Sequence, residues 1–234
     1  MYYRAVPGNL FWPVLVPAQV QATLSRCGPG AAGAVDCCVW VDGEDSAELL
    51  WQNGSFGKGI LSRSNPTWNR RQSKEDEALV EPVQLSPFET LFLVDIRCLV
   101  VRDEQTCRQY AYMELWDLFD HGAFEQKYAA YYYYRSRGWV VRSGLKYGAD
   151  FLLYGKGGPS AAHSAYAVVV RRAEEDGGLA ASSPYMLALS RINTQARKKL
   201  ILCYVRAPQN QRPPEMSQFA IHEFLVDRFN PNHR

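Results

Sequence analysis

Long apolar runs are missing from this 234-residue chain: no segment approaches the roughly 18 to 20 consecutive apolar residues of a membrane-spanning helix. The opening residues, MYYRAVPGNL, lack the charged start and apolar stretch of a secretory signal. Six cysteines (Cys27, Cys37, Cys38, Cys98, Cys107, Cys203) are scattered without a CxxC pair, which argues against a zinc ribbon or a redox motif. Several stand among apolar neighbours, where a thiol packs as a small hydrophobe. Net charge is only +2, too small to name a partner. We therefore expect a soluble intracellular protein with reduced cysteines, whose 47% hydrophobic content supplies one large core or two smaller ones.

The net charge is small, but the charges are unevenly placed. Residues 125–212 hold 14 Lys or Arg against five acids, Glu125, Asp150, Glu174, Glu175 and Asp176, so this part carries +9 and the remainder −7. Aromatic residues interleave with the cations: Tyr131 to Tyr134, Trp139, Tyr147 and Tyr166. Such a mixture suits phosphate contacts and base stacking, although aromatics are more often core and surface cations more often solvated. Tyr131 to Tyr134 fall within one predicted helix, point to different faces at about 100° per residue, and so cannot form one stacking surface.

The chain is expected to divide near the apolar-poor stretch 69–82 (NRRQSKEDEALVEP), a linker or exposed loop that closes an N-terminal α+β region over 1–82. That region holds an alternating run around 39–41 and a short helix over 46–52. A connecting helical region over 83–122 follows. Its first helix, over 87–99, starts at Ser86-Pro87-Phe88-Glu89, where an N-cap serine, a proline at the first helical position and a glutamate three residues on make a capping box. A second helix is predicted over 109–119 and a third over 124–137, the last ending at Gly138. Over 123–234 the pattern predicts strands at 139–142, 147–154, 164–171, 200–205 and 219–229, with a helix over 184–197 capped by Ser183. The expected fold is mixed α/β: the small N-terminal α+β domain, then a C-terminal mixed β-sheet flanked by helices.

Within 131–170 (YYYYRSRGWVVRSGLKYGADFLLYGKGGPSAAHSAYAVVV) the apolar strand FLLY ends at Tyr154, turn-forming residues follow, and His163 opens the next alternating strand. A Tyr and a His at the two ends of one Gly-rich loop suggest acid/base chemistry without a metal. Taken singly, a strand-end Tyr is usually core, a loop His usually solvated, and a basic triplet such as Arg197-Lys198-Lys199 is accounted for by the helix dipole. His121, His222 and His233 have no such company and are expected to be structural or solvent-exposed.

GWVVRSGLKYGADFLLYGKGGPSAAHSAYAVVV followed by ALSRINTQARKKLILCYV resembles the catalytic domain of tRNA splicing endonucleases, and most nearly the eukaryotic subunit that cuts the 5′ splice site. FGKGILSRSNP and YYYYRSRGW also match that pattern, so the likeness runs from about Asn53 onward and is weaker over the first 50 residues. The resemblance implies a catalytic fold like that of restriction nucleases. It implies Tyr154 as base, His163 as acid and Lys198 as charge stabiliser, with Lys199 and Lys156 as lesser claimants. It further implies a cation-π clamp on a bulge nucleotide, formed by Arg191 of LSRIN and by Phe229 of DRFNPN, where relatives usually have Trp and the ring is larger. The implied partners are pre-tRNA, a second catalytic subunit and two structural subunits in a four-chain assembly, and the implied location is the nucleus. The alternating segment 219–229 suits an edge strand able to pair with a partner's sheet.

The residue types fit that chemistry. RNA carries its own nucleophile, a 2′-OH beside the scissile phosphate. An enzyme need only remove that proton, protonate the departing 5′-oxygen and neutralise the phosphorane, with no cofactor. An imidazolium supplies a proton near neutral pH, and one well-placed acid or base is worth roughly 10²- to 10⁴-fold. An ammonium meets the charge on the non-bridging oxygens. A phenol, with an ordinary pKa of about 10, serves as a base only if nearby cations depress it, and otherwise orients the 2′-OH. Expected products are a 2′,3′-cyclic phosphate and a 5′-OH. A metal-dependent nuclease would need clustered carboxylates, and the basic half offers only Asp150 near the right strands. A non-catalytic RNA-binding or scaffold subunit of the same assembly has no need of all three of Tyr154, His163 and Lys198, so their joint presence argues against it. The subunit that cuts the 3′ site stays open.

Overall fold

The computed structural model describes residues 19–29, 35–60, 82–173, 184–208 and 215–226. Phe229, Ser183 and the charged stretch 69–82 up to its final Pro82 lie outside them. Two compact units divide the chain, one within Pro13–Gly122 and one within Ala123–Arg234.

The first unit is built on strands β1 (Val20–Pro29), β2 (Val35–Val41), β3 (Lys58–Gly59), β4 (Val83–Leu85) and β5 (Leu99–Asp103), in the order β3-β4-β2-β1-β5. Helices α1 (Glu44–Gln52), α2 (Pro87–Asp95) and α3 (Tyr112–Phe119) accompany this sheet. The capping box of α2 forms as its sequence requires: the Glu89 backbone N–H donates to Ser86 Oγ at 3.3 Å and the Ser86 N–H donates to Glu89 Oε2 at 2.9 Å. Its C-terminus departs from expectation. The helix ends at Asp95, Arg97 turns left-handed at φ 60°, and the apolar run Leu99–Asp103 leaves to pair in parallel with β1. Burying that run against Val20 and Ala22 outweighs one further helical turn.

The second unit is helix α4 (Phe124–Ser136), strands β6 (Val140–Ser143), β7 (Phe151–Tyr154), β8 (Tyr166–Arg172), β9 (Lys199–Arg206) and β10 (Ala220–Val226), the single-turn α5 (Gly158–Ala161) and helix α6 (Pro184–Gln195). The sheet order is β10-β9-β8-β7-β6, antiparallel except for the β8–β9 pair. A parallel pair needs a crossover, and α6 lies on it. The mixed sheet flanked by helices is therefore the expected fold class.

Alternation along β7 assigns its faces. Phe151 meets Tyr131 of α4, the ring centroids 5.9 Å apart. Leu152 packs with Ala167, Met186, Leu189 and Leu200 on the α6 side, and Tyr154 joins the same cluster. The four consecutive tyrosines of α4 point in different directions, as helical geometry demands: Tyr131 and Tyr134 are buried, Tyr132 and Tyr133 half-buried. Tyr134 and Tyr133 donate to the two carboxylate oxygens of Glu223 at 2.7 and 3.0 Å, so the helix grips edge strand β10 through one carboxylate.

The strand predicted over 147–154 begins four residues later. Leu145–Tyr147 forms a 3-10 turn, Gly148 adopts φ 67°, and the Ala149 N–H donates back to Gly144 O at 3.2 Å, closing the β6–β7 hairpin. Tyr147 is thereby withdrawn from the sheet.

Candidate active site

Three strand ends meet at one end of the second sheet. Leu153 is in register with Tyr166, and Tyr166 with Lys199. The Ala165 N–H donates to Leu153 O at 3.0 Å and the Lys199 N–H donates to Ala165 O at 3.1 Å. The exit of β7, the entry of β8 and the entry of β9 thus lie side by side, carrying Tyr154, the His163-Ser164 pair and Lys198.

Between Tyr154 and His163 the chain folds tightly around α5. Gly157, at φ 86°, enters it left-handed, and a Cβ there would lie 2.6 Å from Ala161 Cβ, so only glycine fits. The small residues of this loop are what allow both ends to return to one place.

Tyr154 is half-buried against the α6-side cluster. Burial pushes its phenol above the ordinary value of 10, against the lowering exerted by the Ser164 hydroxyl and then by the positive charge of Arg142. The Ser164 hydroxyl is close enough to act on the phenol, yet the buried Ser164 Oγ completes no well-formed hydrogen bond among the described residues. His163 is exposed.

Lys198 is 9% exposed, and its Nζ donates to the Ser164 carbonyl at 3.3 Å while lying 4.9 Å from the centroid of the Tyr147 ring. Burial pushes its pKa below the ordinary 10.5. No carboxylate among the described residues pairs with it. Lys199, one residue on, faces out and is exposed, as is Lys156 in the loop. Arg191 is exposed on α6. Phe229 lies outside the described residues, so its relation to Arg191 is not part of this geometry.

Ser164, Tyr147 and Asn193 belong to the surroundings of the site and are not singled out as site residues by sequence reasoning. Ser164 stands beside Tyr154, accepts from Lys198 through its backbone carbonyl and adjoins His163; its place next to a candidate acid is the signal that could have found it. Asn193 is fully buried on α6 and donates through Nδ2 to Leu189 O at 2.9 Å and to Tyr147 O at 3.3 Å. Nothing in the letter pattern marks that tie.

Asp150, the carboxylate nearest these strands, is committed to the framework. It pairs with Lys127 of α4 at 2.8 Å and accepts from the Val170 N–H at 2.8 Å. Among the described residues no group of three or more His, Cys, Asp and Glu is arranged to hold a metal ion.

Comparison with known proteins identifies the family of both units. The model of the tRNA intron endonuclease catalytic C-terminal domain matches residues 124–212, and that of the tRNA intron endonuclease N-terminal domain matches 32–115. The chain is similar to the tRNA-splicing endonuclease subunit Sen2 of Gallus gallus, 29% identical over 90% of this chain and 50% of that protein. Sen2 of Mus musculus is 33% identical over 64% of this chain and 35% of its own. The tRNA-splicing endonuclease of Saccharolobus solfataricus is 30% identical over 71% of this chain and 85% of its own. The chain thus spans half or less of the length of these vertebrate relatives.

Proposed function

The chain belongs to the tRNA intron endonuclease family, and from that premise we propose that it is a catalytic subunit of a tRNA splicing endonuclease that cuts intron-containing pre-tRNA at the 5′ splice site. The observation that carries this proposal is the convergence of Tyr154 and Lys198 on Ser164, the neighbour of His163, at one end of the second sheet.

In the proposed reaction the 2′-OH attacks the adjacent phosphorus as the bond to the 5′-oxygen breaks. Tyr154 Oη accepts the hydroxyl proton while its own phenolic proton passes to solvent. Because burial holds that phenol protonated at neutral pH, its first task is to orient the 2′-OH. His163 protonates the leaving 5′-oxygen. Lys198 faces the charge that builds on the non-bridging oxygens, and with no carboxylate partner among the described residues its own charge is left for the phosphate. The products are a 2′,3′-cyclic phosphate and a 5′-OH. Arg191 and Phe229 are proposed to clamp a bulge nucleotide, supported by the exposure of Arg191. The partners are proposed to be a second catalytic and two structural subunits, in the nucleus.

The test compares wild type with His163→Ala, each assembled with its partner subunits, on end-labelled pre-tRNA in EDTA, mapping every cut and its end chemistry. Loss of the 5′ cut alone, with cyclic phosphate ends from wild type, is expected. Loss of the 3′ cut instead reassigns the subunit, and survival of both cuts means that the chain is a scaffold or that His163 is not the acid, and overturns the catalytic reading.

A further inference from the structure

Lys198 stands on a four-carbon stem with many rotamers, in a site that has to keep one charge in one place. An acidic neighbour would fix it, but would also neutralise the charge that a phosphate needs. Fixing it with uncharged partners avoids that conflict, and the structure holds two of them: the Ser164 carbonyl at 3.3 Å and the face of Tyr147, its centroid 4.9 Å from Nζ. We propose that Tyr147 is the positioning residue of Lys198, its ring holding the ammonium aimed at the phosphate without cancelling its charge. The inference rests on the catalytic assignment of Lys198 above.

Several independent features place that ring. Gly148, left-handed at φ 67°, takes Tyr147 out of β7, and a Cβ on Gly148 would lie 2.8 Å from Leu189 Cδ2, so the turn is pressed against α6. Asn193 Nδ2 ties the Tyr147 carbonyl to the same helix at 3.3 Å. The ring packs on the cluster that also seats Tyr154, and Tyr147 lies close enough to that phenol to act on it electrostatically. Lys146 also approaches the ring, but its Nζ stands farther off, 5.9 Å from the centroid, and the burial of Lys198 makes the latter the better-held cation. An exposed helper would need none of this support; a platform for a buried ammonium does.

The test uses the full chain assembled with its partner subunits and single-turnover cleavage of pre-tRNA, comparing Tyr147→Phe, Tyr147→Leu, Tyr147→Met, Lys198→Ala and the Tyr147→Leu/Lys198→Ala double variant, with thermal melts of each. Removing the ring is expected to lower the maximal single-turnover rate constant about 3- to 30-fold, the range of a cation-π contact from exposed to desolvated, with the half-saturating enzyme concentration within about twofold. Tyr147→Phe, which keeps the ring, should stay within about twofold of wild type. In the Lys198→Ala background, Tyr147→Leu should cost nothing further, since a residue acting through Lys198 has nothing left to act on. Tyr147→Met, about the size of Leu but unbranched and more adaptable to the space left, carries the comparison if Tyr147→Leu melts early. Full activity without the ring, equal losses for Phe and Leu, or an undiminished loss in the Lys198→Ala background each overturn the inference while leaving the catalytic assignment standing. Wild-type cleavage by Lys198→Ala overturns both.

Discussion

Replacing Lys198 by Met should make the protein more stable and less active. Lys198 is 9% exposed, the one hydrogen-bond acceptor of its ammonium among the described residues lies at 3.3 Å, beyond the usual range of about 2.7 to 3.2 Å, and no carboxylate among them offsets its lost hydration. Met keeps most of the stem volume and removes the charge. Replacing a poorly compensated buried charge by an apolar side chain gains about 1–3 kcal/mol. At about 2–4 °C per kcal/mol for a chain of this size, melting at pH 7 should rise by about 2–12 °C. Cleavage should fall by about 10²- to 10³-fold, the scale for losing one transition-state charge stabiliser. The pH dependence has a definite sign. Burial lowers the folded-state pKa of Lys198 below 10.5, so between the two values this group binds more protons in the unfolded chain and wild-type stability rises with pH relative to the Met variant. The advantage of the Met variant is therefore full at neutral pH and closes as pH climbs towards 10.5. Urea unfolding of both proteins from about pH 7 to 10 measures it. A Met variant less stable than wild type at pH 7, or a gap that ignores pH, would refute the claim that this ammonium is held at a cost.

Tyr134→Phe removes a fully buried hydroxyl that donates to Glu223 at 2.7 Å and should cost about 1.5–3 kcal/mol by urea unfolding; an unchanged midpoint would mean that Tyr133 alone satisfies the carboxylate. Around the same carboxylate, burial pushes Tyr133 and the Cys203 thiol up to about 12 and Tyr134 higher still, so the folded chain keeps protons that the unfolded chain releases above pH of about 9 to 10. Stability should accordingly fall between about pH 9 and 12, read by far-UV circular dichroism against pH, and a flat profile there would contradict it. Gly148→Ala places a Cβ at φ 67° and 2.8 Å from Leu189 Cδ2, and should cost about 1–2 kcal/mol in urea unfolding. Because Leu189 can swing aside, most of that cost is backbone strain, which Leu189→Ala would not relieve.

Local features were legible in the letters alone. The capping box at Ser86 and Glu89, the helix over Phe124–Ser136 with its glycine stop, and the alternating strands of the second sheet each depend on contacts within a few residues or on a period, and both are written along the chain. Tyr154, His163 and Lys198 stood out by type, order and likeness to a family. Partners distant in sequence decided the rest. Helix α2 stops at Asp95 because the run after it has β1 to pair with, a strand far upstream that no window of neighbours reveals. Tyr147 leaves the strand pattern because Gly148 turns left-handed against α6. Lys198 faces in and Lys199 out because β9 enters the sheet in register with Tyr166, and a shift of one residue would have exchanged them. Ser164 and Asn193 owe their importance to burial, which depends on what packs over them. Sequence therefore determined which chemical groups this protein has and in what order. Tertiary structure decided which face each group occupies and what surrounds it, because register and burial arise from long-range pairing and the solvation energy that follows from it.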